Sequence, residues 1–128
     1  VNEFLIPLLY EGINAGVFVE PKLGQITAAY KAGAKCVEIN ARKFSETFAQ
    51  NPMDTREFIT LKEAVVYAKT MGMDVNISGG INYKSIEMIR EIPTVKFVNV
   101  GHSIITKAIF DGLTSAVKQM LFLVENKD

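Results

Sequence analysis

Short apolar runs rich in β-branched residues alternate along the chain with longer segments in which apolar residues recur every three or four positions. The short runs predict buried strands, whereas the longer period predicts helices with one apolar side. The predicted strands are residues 15–19, 35–40, 74–78 and 96–100. Because a helical segment separates each strand from the next, we expect the strands to pair in parallel through right-handed crossovers, with helices covering the sheet.

Glycine and proline residues mark where the first helices begin and end. The first predicted helix covers residues 1–11 and stops at Gly12, and the second runs from Pro21 to Gly33. Residues 41–53 show no clear period, so we expect either a loop or a short extra helix in this segment.

Capping residues mark the later helices. Asp54 and Glu57 have the spacing of a capping box at the start of the third main helix. Asn82 is expected to cap a short helix that Pro93 stops, and the last helix should begin near Ser103. One apolar side of this last helix is predicted to consist of Ile105, Ile109, Leu113, Val117, Met120 and Val124.

These elements predict an α/β fold of parallel βα units. The chain has 128 residues, of which 48% are hydrophobic and 22% charged, and this suits a single α/β unit over residues 1–128. Four βα repeats fit half of a (β/α)8 barrel, whose usual length is about 250 residues. A small open doubly wound sheet is the alternative, and a count of elements does not separate the two.

Charge and hydropathy exclude several classes of partner. The chain has 14 Lys and Arg against 14 Asp and Glu, so it lacks the basic excess of a nucleic-acid-binding surface. Its apolar runs are far shorter than a membrane span, and no leader opens the chain, so we expect a cytoplasmic protein without a membrane partner. The single cysteine, Cys36, is expected to be a buried thiol in a reducing compartment.

Two consecutive predicted strands end in glycine-rich segments, each just before a helix. Residues 78–81 read Ser-Gly-Gly-Ile, and residues 101–104 read Gly-His-Ser-Ile. Glycine lets a ligand approach the backbone closely, and the N–H groups of a helix start attract anions. Barrels form phosphate sites after their last two strands. We therefore predict a phosphate site in which Gly80, Gly101, His102 and Ser103 take part.

His102 is the only histidine of the chain. Beside a phosphate it could donate a hydrogen bond or transfer a proton near neutral pH, and the alternative is a purely local hydrogen bond at the helix start. With no second histidine and no cysteine cluster, we predict no metal site.

Glu38 lies within an otherwise apolar strand. By alternation it shares a face with Cys36 and Asn40, and in a barrel this face would point into the lumen. An unpaired carboxylate is costly to bury, so Glu38 is either a functional, catalytic group or the partner of a cation such as Lys35 or Arg42.

Together these segments resemble pyridoxine 5′-phosphate synthase, the barrel enzyme that closes the pyridine ring in vitamin B6 biosynthesis. The similarity extends from about Gly12 to Val124 and corresponds only to the C-terminal half of that family. It is carried by residues 16–21, 37–39 and 76–83, and most specifically by residues 92–104.

The resemblance implies a cofactor-independent condensation of 1-deoxy-D-xylulose 5-phosphate with 3-amino-2-oxopropyl phosphate, which yields pyridoxine 5′-phosphate, inorganic phosphate and water. Gly80, Gly101 and His102 fall on the family's phosphate-binding positions. Glu38 falls on the glutamate that stabilises the transition state. Gly79 occupies the place of the family's proton-donating histidine, and the acid-base residues of the N-terminal half have no counterpart in this chain.

Two further functions stay open at this point. One is another phosphate-binding barrel enzyme, such as a sugar-phosphate isomerase, epimerase or aldolase relative. The other is a non-catalytic half-barrel that binds phosphorylated ligands or assembles with a partner. Because half a barrel leaves two sheet edges and an apolar face open, we expect a homo-oligomer or a second half-barrel as partner, besides a phosphorylated small molecule.

Overall fold

The computed structural model describes residues 2–125, so Val1 of the first predicted helix and residues 126–128 of the predicted single unit lie outside the described residues. Four strands form one parallel sheet with the order β1-β2-β3-β4. Their bounds are β1 Gly16–Val19, β2 Cys36–Asn40, β3 Asp74–Ser78 and β4 Phe97–Asn99. The predicted α/β class and parallel pairing are confirmed.

The consecutive strand order decides between the two predicted architectures. A doubly wound sheet reverses its strand order at a switch point, whereas a barrel keeps neighbouring strands in chain order. The order found here is that of half a (β/α)8 barrel, and the sheet is not closed.

Seven helices accompany the sheet within the described residues. They are α1 Asn2–Tyr10, α2 Leu23–Lys31, α3 Arg42–Gln50, α4 Arg56–Thr70, α5 Ile86–Ile89, α6 His102–Asp111 and α7 Leu113–Glu125. Residues 41–53 were predicted to form either a loop or a short extra helix, and most of this segment is the short helix α3.

The two faces of the sheet differ in chemistry. One face presents β-branched side chains, which are buried against α2 and α4 in the main core. Its fully buried members include Val37, Ile39, Val75 and Ile77, and each such side chain stabilises the fold by about 1.5–3 kcal/mol. The opposite face, which we call the inward face because it would line a barrel, presents a row in register across the strands: Phe18, Glu38, Asn76 and Phe97.

Two predicted caps are wrong in detail. The N-cap of α4 is Thr55 and makes no side-chain cap, while Glu57 forms an ion pair of 2.9 Å with Lys43 instead of completing a capping box. Asp54 still stabilises the start of α4, because its Oδ1 accepts a hydrogen bond from the backbone N–H of Arg56 at 3.2 Å. The N-cap lies one residue later than predicted, and Glu57 is paired with Lys43 on α3 and not with a backbone N–H.

The cap of α5 is likewise displaced. The N-cap is Ser85, and Asn82 stabilises the turn before it by accepting the backbone N–H groups of Lys84 and Ser85 at 2.9 and 3.0 Å.

The last predicted helix is two helices. Gly112 has φ +80° and ψ 150°, which ends α6 and starts α7 in a new direction. The predicted apolar side is therefore not one core-facing stripe: Ile109 is 77% exposed and Leu113 57% exposed, whereas Met120 is buried. Within residues 2–125, none of the helices combines the length and the apolar character that a membrane span requires.

Candidate functional site

The two glycine-rich strand ends lie side by side and are joined by a hydrogen bond. The Ser103 hydroxyl at the start of α6 donates to the backbone carbonyl of Ile81 at 2.9 Å. A second bond, from the Ser45 hydroxyl to the carbonyl of Gly79 at 2.9 Å, anchors the first of these ends to α3. The segments that were predicted to form one site are thus held together.

Gly79 and Gly80 differ from Gly101 in the structural role that glycine has at each position. Gly79 and Gly80 have φ +106° and +71°, and a Cβ on Gly80 would lie 3.0 Å from the Cβ of Ser45. Both are required by the backbone turn and by local packing. A Cβ on Gly101 would meet no atom within 4 Å, so the space beside this residue is open to a ligand.

Gly101 is also the N-cap of α6, and its carbonyl accepts the N–H of Ile104 at 3.0 Å. The N–H groups of His102 and Ser103 precede the first acceptor that the helix provides, so they are the donors left at this helix start. The hydroxyl proton of Ser103 is already donated to Ile81, so this residue has its backbone N–H to offer a ligand. The positive end of the helix dipole adds to the attraction of an anion. The arrangement suits a phosphate group held by backbone donors.

His102 is the exposed first residue of α6. Its Nε2 lies 3.5 Å from the Oγ1 of Thr106, at the outer limit of a hydrogen bond, and that hydroxyl donates instead to the carbonyl of His102 at 2.9 Å. The imidazole is therefore only weakly held by the helix and can turn toward a bound anion.

Glu38 is half-buried on the inward face, and its partner is an amide. Its Oε2 accepts a hydrogen bond of 2.9 Å from the Nδ2 of Asn99 at the end of β4. Within the described part of the chain, neither Lys35 nor Arg42 forms an ion pair with Glu38, so the predicted structural alternative is wrong. The carboxylate is therefore oriented by a neutral donor.

Asn40 forms a second polar contact at the carboxyl end of β2. Its Nδ2 donates to the Oε1 of Glu20 at 2.8 Å, and its Oδ1 accepts the backbone N–H of Arg42 at 3.0 Å. Asn99 was missed as a site residue. The signal that could have found Asn99 is its spacing of two from Phe97, which places it on the inward face of a short strand.

A cavity of about 470 Å³ lies on the same face toward the amino ends of the strands, and it is lined in part by Cys36, Asp74, Asn76 and Lys96. Asp74 is ion-paired with Lys96 at 2.7 Å. Burial raises the pKa of the Cys36 thiol, and the nearby charge of Asp74 raises it further. This thiol is therefore a poor nucleophile. No residue of the glycine-rich strand ends lines the cavity, but Glu38 is one of its lining residues.

Among residues 2–125, no group of three or more His, Cys, Asp or Glu side chains is arranged to hold a metal ion.

Comparison with known proteins identifies the family. The family model described as pyridoxal phosphate biosynthesis protein PdxJ matches residues 1–126. The pyridoxine 5′-phosphate synthase of Chlorobium phaeobacteroides is 38% identical over 125 residues, which are 98% of this chain and 52% of that protein. The synthase of Sulfurihydrogenibium sp. is 32% identical over 126 residues, which are 98% of this chain and 51% of that protein.

The synthase of Desulfatibacillum aliphaticivorans is 38% identical over 112 residues, which are 88% of this chain and 46% of that protein. The chain thus spans about half the length of the curated relatives it matches, and it corresponds to the C-terminal half, as the resemblance implied. With nearly all of its residues matched by the family model, the chain belongs to the PdxJ family of pyridoxal phosphate biosynthesis proteins.

Proposed function

We propose that this chain is the phosphate-binding half of a barrel enzyme that condenses 1-deoxy-D-xylulose 5-phosphate with 3-amino-2-oxopropyl phosphate to form pyridoxine 5′-phosphate. The observation that carries the proposal is the hydrogen bond from Ser103 to Ile81, because it joins two glycine-rich strand ends at one edge of the sheet. Family membership and the inward position of Glu38 support the same function.

In the proposed reaction, the phosphate of one substrate binds at the start of α6. The backbone N–H groups of His102 and Ser103 donate to its oxygens, and the open space beside Gly101 admits the group. The His102 imidazole supplies a further donor. These contacts fix the substrate at one end, so its reacting carbons extend toward the inward face of the sheet.

Glu38 acts on the reacting part of the substrate. When an amine joins a ketone, the nitrogen passes through cationic states, and a negative carboxylate in a preorganised position stabilises them. The amide of Asn99 orients the carboxylate without neutralising it, which suits such a role.

The remaining groups come from a second half-barrel. Strands β1 and β4 are the two edges of the sheet, and Phe18 and Phe97 on the inward face are 58% and 59% exposed. Four further βα units would pair with both edges, cover the two phenylalanines and supply the acid-base groups that this half lacks. Relatives about twice as long as this chain support this partner over a second copy of the same half.

A non-catalytic, phosphate-binding half-barrel is the second candidate, and one observation favours it. Gly79 stands where the family has its proton donor, and a side chain at this position would collide with the Oδ1 of Asn40. The present backbone therefore excludes the missing histidine, and proton transfer must come from another group.

The test begins with binding of inorganic phosphate to the chain, measured by calorimetry on Gly101→Val and on Gly24→Val. Neither substitution meets an atom within 4 Å of the new Cβ, so Gly24 on α2 is a matched control. We expect Gly101→Val to weaken binding about tenfold or more, equal to about 1.4 kcal/mol, and Gly24→Val to leave it unchanged. Unchanged affinity in Gly101→Val would remove the phosphate site from this strand end.

A turnover assay then distinguishes the proposed synthase from the other candidate functions. The chain is co-expressed with the N-terminal half of the Chlorobium relative, and formation of pyridoxine 5′-phosphate from the two phosphates is measured. Turnover supports the synthase, and phosphate binding without turnover supports the non-catalytic half-barrel. Turnover of a different sugar phosphate instead would identify another barrel enzyme.

A further inference from the structure

Glu38 and Asn99 are hydrogen-bonded although their strands are not neighbours. Glu38 lies on β2 and Asn99 on β4, with β3 between them, and the two residues are 61 positions apart in sequence. This side-chain bond of 2.9 Å therefore links β2 to β4 across an intervening strand on the inward face.

The register of the sheet explains how the two side chains meet. Glu38 is in register with Asn76, and Asn99 is in register with Ser78 on the same strand β3. Ser78 is small, so the Asn99 side chain can lean over β3 toward the carboxylate.

Asn99 is also tied to the predicted phosphate site. It is the last residue of β4, and Gly101 follows two positions later as the N-cap of α6. The pairing of Asn99 with Ser78 holds one side of this short link, and the bond from Ser103 to Ile81 holds the other. The Glu38 carboxylate and the open space at Gly101 are therefore linked through one short, hydrogen-bonded segment.

We propose that Asn99 is a positioning residue that holds the Glu38 carboxylate in register with the phosphate site at Gly101. The proposal rests on the proposed function of this site. Asn99 does not itself act on the substrate. It sets the direction of the Glu38 carboxylate through a neutral donor, and a second half-barrel would shield the bond from water and strengthen it.

The experiment is a double-mutant cycle in the chain co-expressed with the N-terminal half of the Chlorobium relative. Asn99→Ala removes the donor, Asn99→Asp keeps the shape but offers a repelling oxygen, and Asn99→Gln restores an amide. Because a small displacement of a reacting group costs about 10²-fold in rate, we expect Asn99→Ala and Asn99→Asp to lower kcat by about 10²-fold with little change in KM. Asn99→Gln should recover part of the loss.

The cycle is completed in a Glu38→Gln background. There we expect Asn99→Ala to change kcat by no more than about twofold, since coupled residues are not additive. Asn51→Ala, which alters an exposed asparagine at the end of α3, is the matched control and should leave kcat unchanged. Full kcat in Asn99→Ala, an equal loss in the Glu38→Gln background, or activity retained by Asn99→Asp would each overturn the proposal.

A second readout needs no turnover. The side-chain amide resonances of Asn99 are followed by NMR in the chain alone, before and after Glu38→Gln. We expect them to shift, while those of Asn51 stay in place, and unchanged Asn99 resonances would overturn the proposal. An assembled enzyme without activity, together with shifted Asn99 resonances, would contradict the proposed reaction but leave the positioning contact supported.

Discussion

The Oδ1 atom of Asn40 lies 2.5 Å from the point that a Cβ atom on Gly79 would occupy. Asn40 cannot easily move away, because its Nδ2 donates a hydrogen bond to the Oε1 of Glu20 and its Oδ1 accepts one from the backbone N–H of Arg42. Gly79 also has φ +106°, a conformation that side chains rarely adopt. The conformation of Gly79 and the position of Asn40 therefore leave no room for a histidine side chain at position 79.

We expect Gly79→Ala to destabilise the chain for two reasons. The left-handed backbone costs a residue with a Cβ about 1–2 kcal/mol, and the collision with Asn40 adds about 1–3 kcal/mol. Gly79→His should be at least as unstable and should not restore proton donation. The free energy of unfolding is measured by urea denaturation.

Gly72→Ala is the matched control for this substitution. Gly72 has φ +77°, but a Cβ there would meet no atom within 4 Å, so only the backbone cost applies. Equal losses in Gly72→Ala and Gly79→Ala would show that Asn40 does not obstruct the site.

The exposed phenylalanines of the inward face predict association of the chain. Phe18 and Phe97 lie in one row across the sheet and are more than half exposed. We expect the chain alone to sediment as a species larger than 14.2 kDa, and we expect Phe18→Lys with Phe97→Lys to reduce association, because an apolar surface drives it.

The control places lysines on the outer side of the helices. Leu23 and Ile59 are 49% and 50% exposed on α2 and α4. Their replacement by Lys should leave the sedimentation unchanged. A parent chain that stays at 14.2 kDa at every concentration would contradict the role of the inward face.

Stability should depend on pH through Asp54. The hydrogen bonds that it accepts from the Arg56 side chain and backbone lower its pKa from the usual 3.8 to about 2. A carboxylate with a lowered folded-state pKa stabilises the fold above its unfolded pKa, and this contribution is lost as the pH falls from about 4 to about 2.

Asp54→Asn keeps the acceptor for the Arg56 N–H but removes the charge. We therefore expect the variant to melt below the parent at pH 6, and the two melting temperatures to converge as the pH approaches 2. Glu46→Gln, which alters an exposed carboxylate on α3, is the control. A constant difference between Asp54→Asn and the parent across this range would contradict the charge effect.

The strands and the class of the fold could be predicted from the sequence. Residues 74–78 form a strand as expected, and the other three predicted strands differ from the observed ones by a residue at one or both ends. β-branched runs of this length are strong local signals because they pack well on a pleated, buried surface. The caps of α4 and α5 were placed less accurately, since the N-caps are Thr55 and Ser85 and Glu57 is paired with Lys43, which is distant in the sequence.

The long apolar period after residue 103 was misleading for a tertiary reason. Periodicity shows which residues share a side of a helix, but it does not show what that side packs against. A backbone break at Gly112 and an open sheet leave Ile109 and Leu113 exposed among the described residues.

The sequence by itself determined the parallel α/β class, the glycine-rich strand ends and the inward position of Glu38, because these follow from local composition and from alternation along a strand. Only the tertiary structure decided the consecutive strand order, the obstruction of Gly79 by Asn40 and the bond between Glu38 and Asn99. Each of these depends on residues far apart in the chain, and their distance and direction are set by how whole strands pair, which no local pattern encodes.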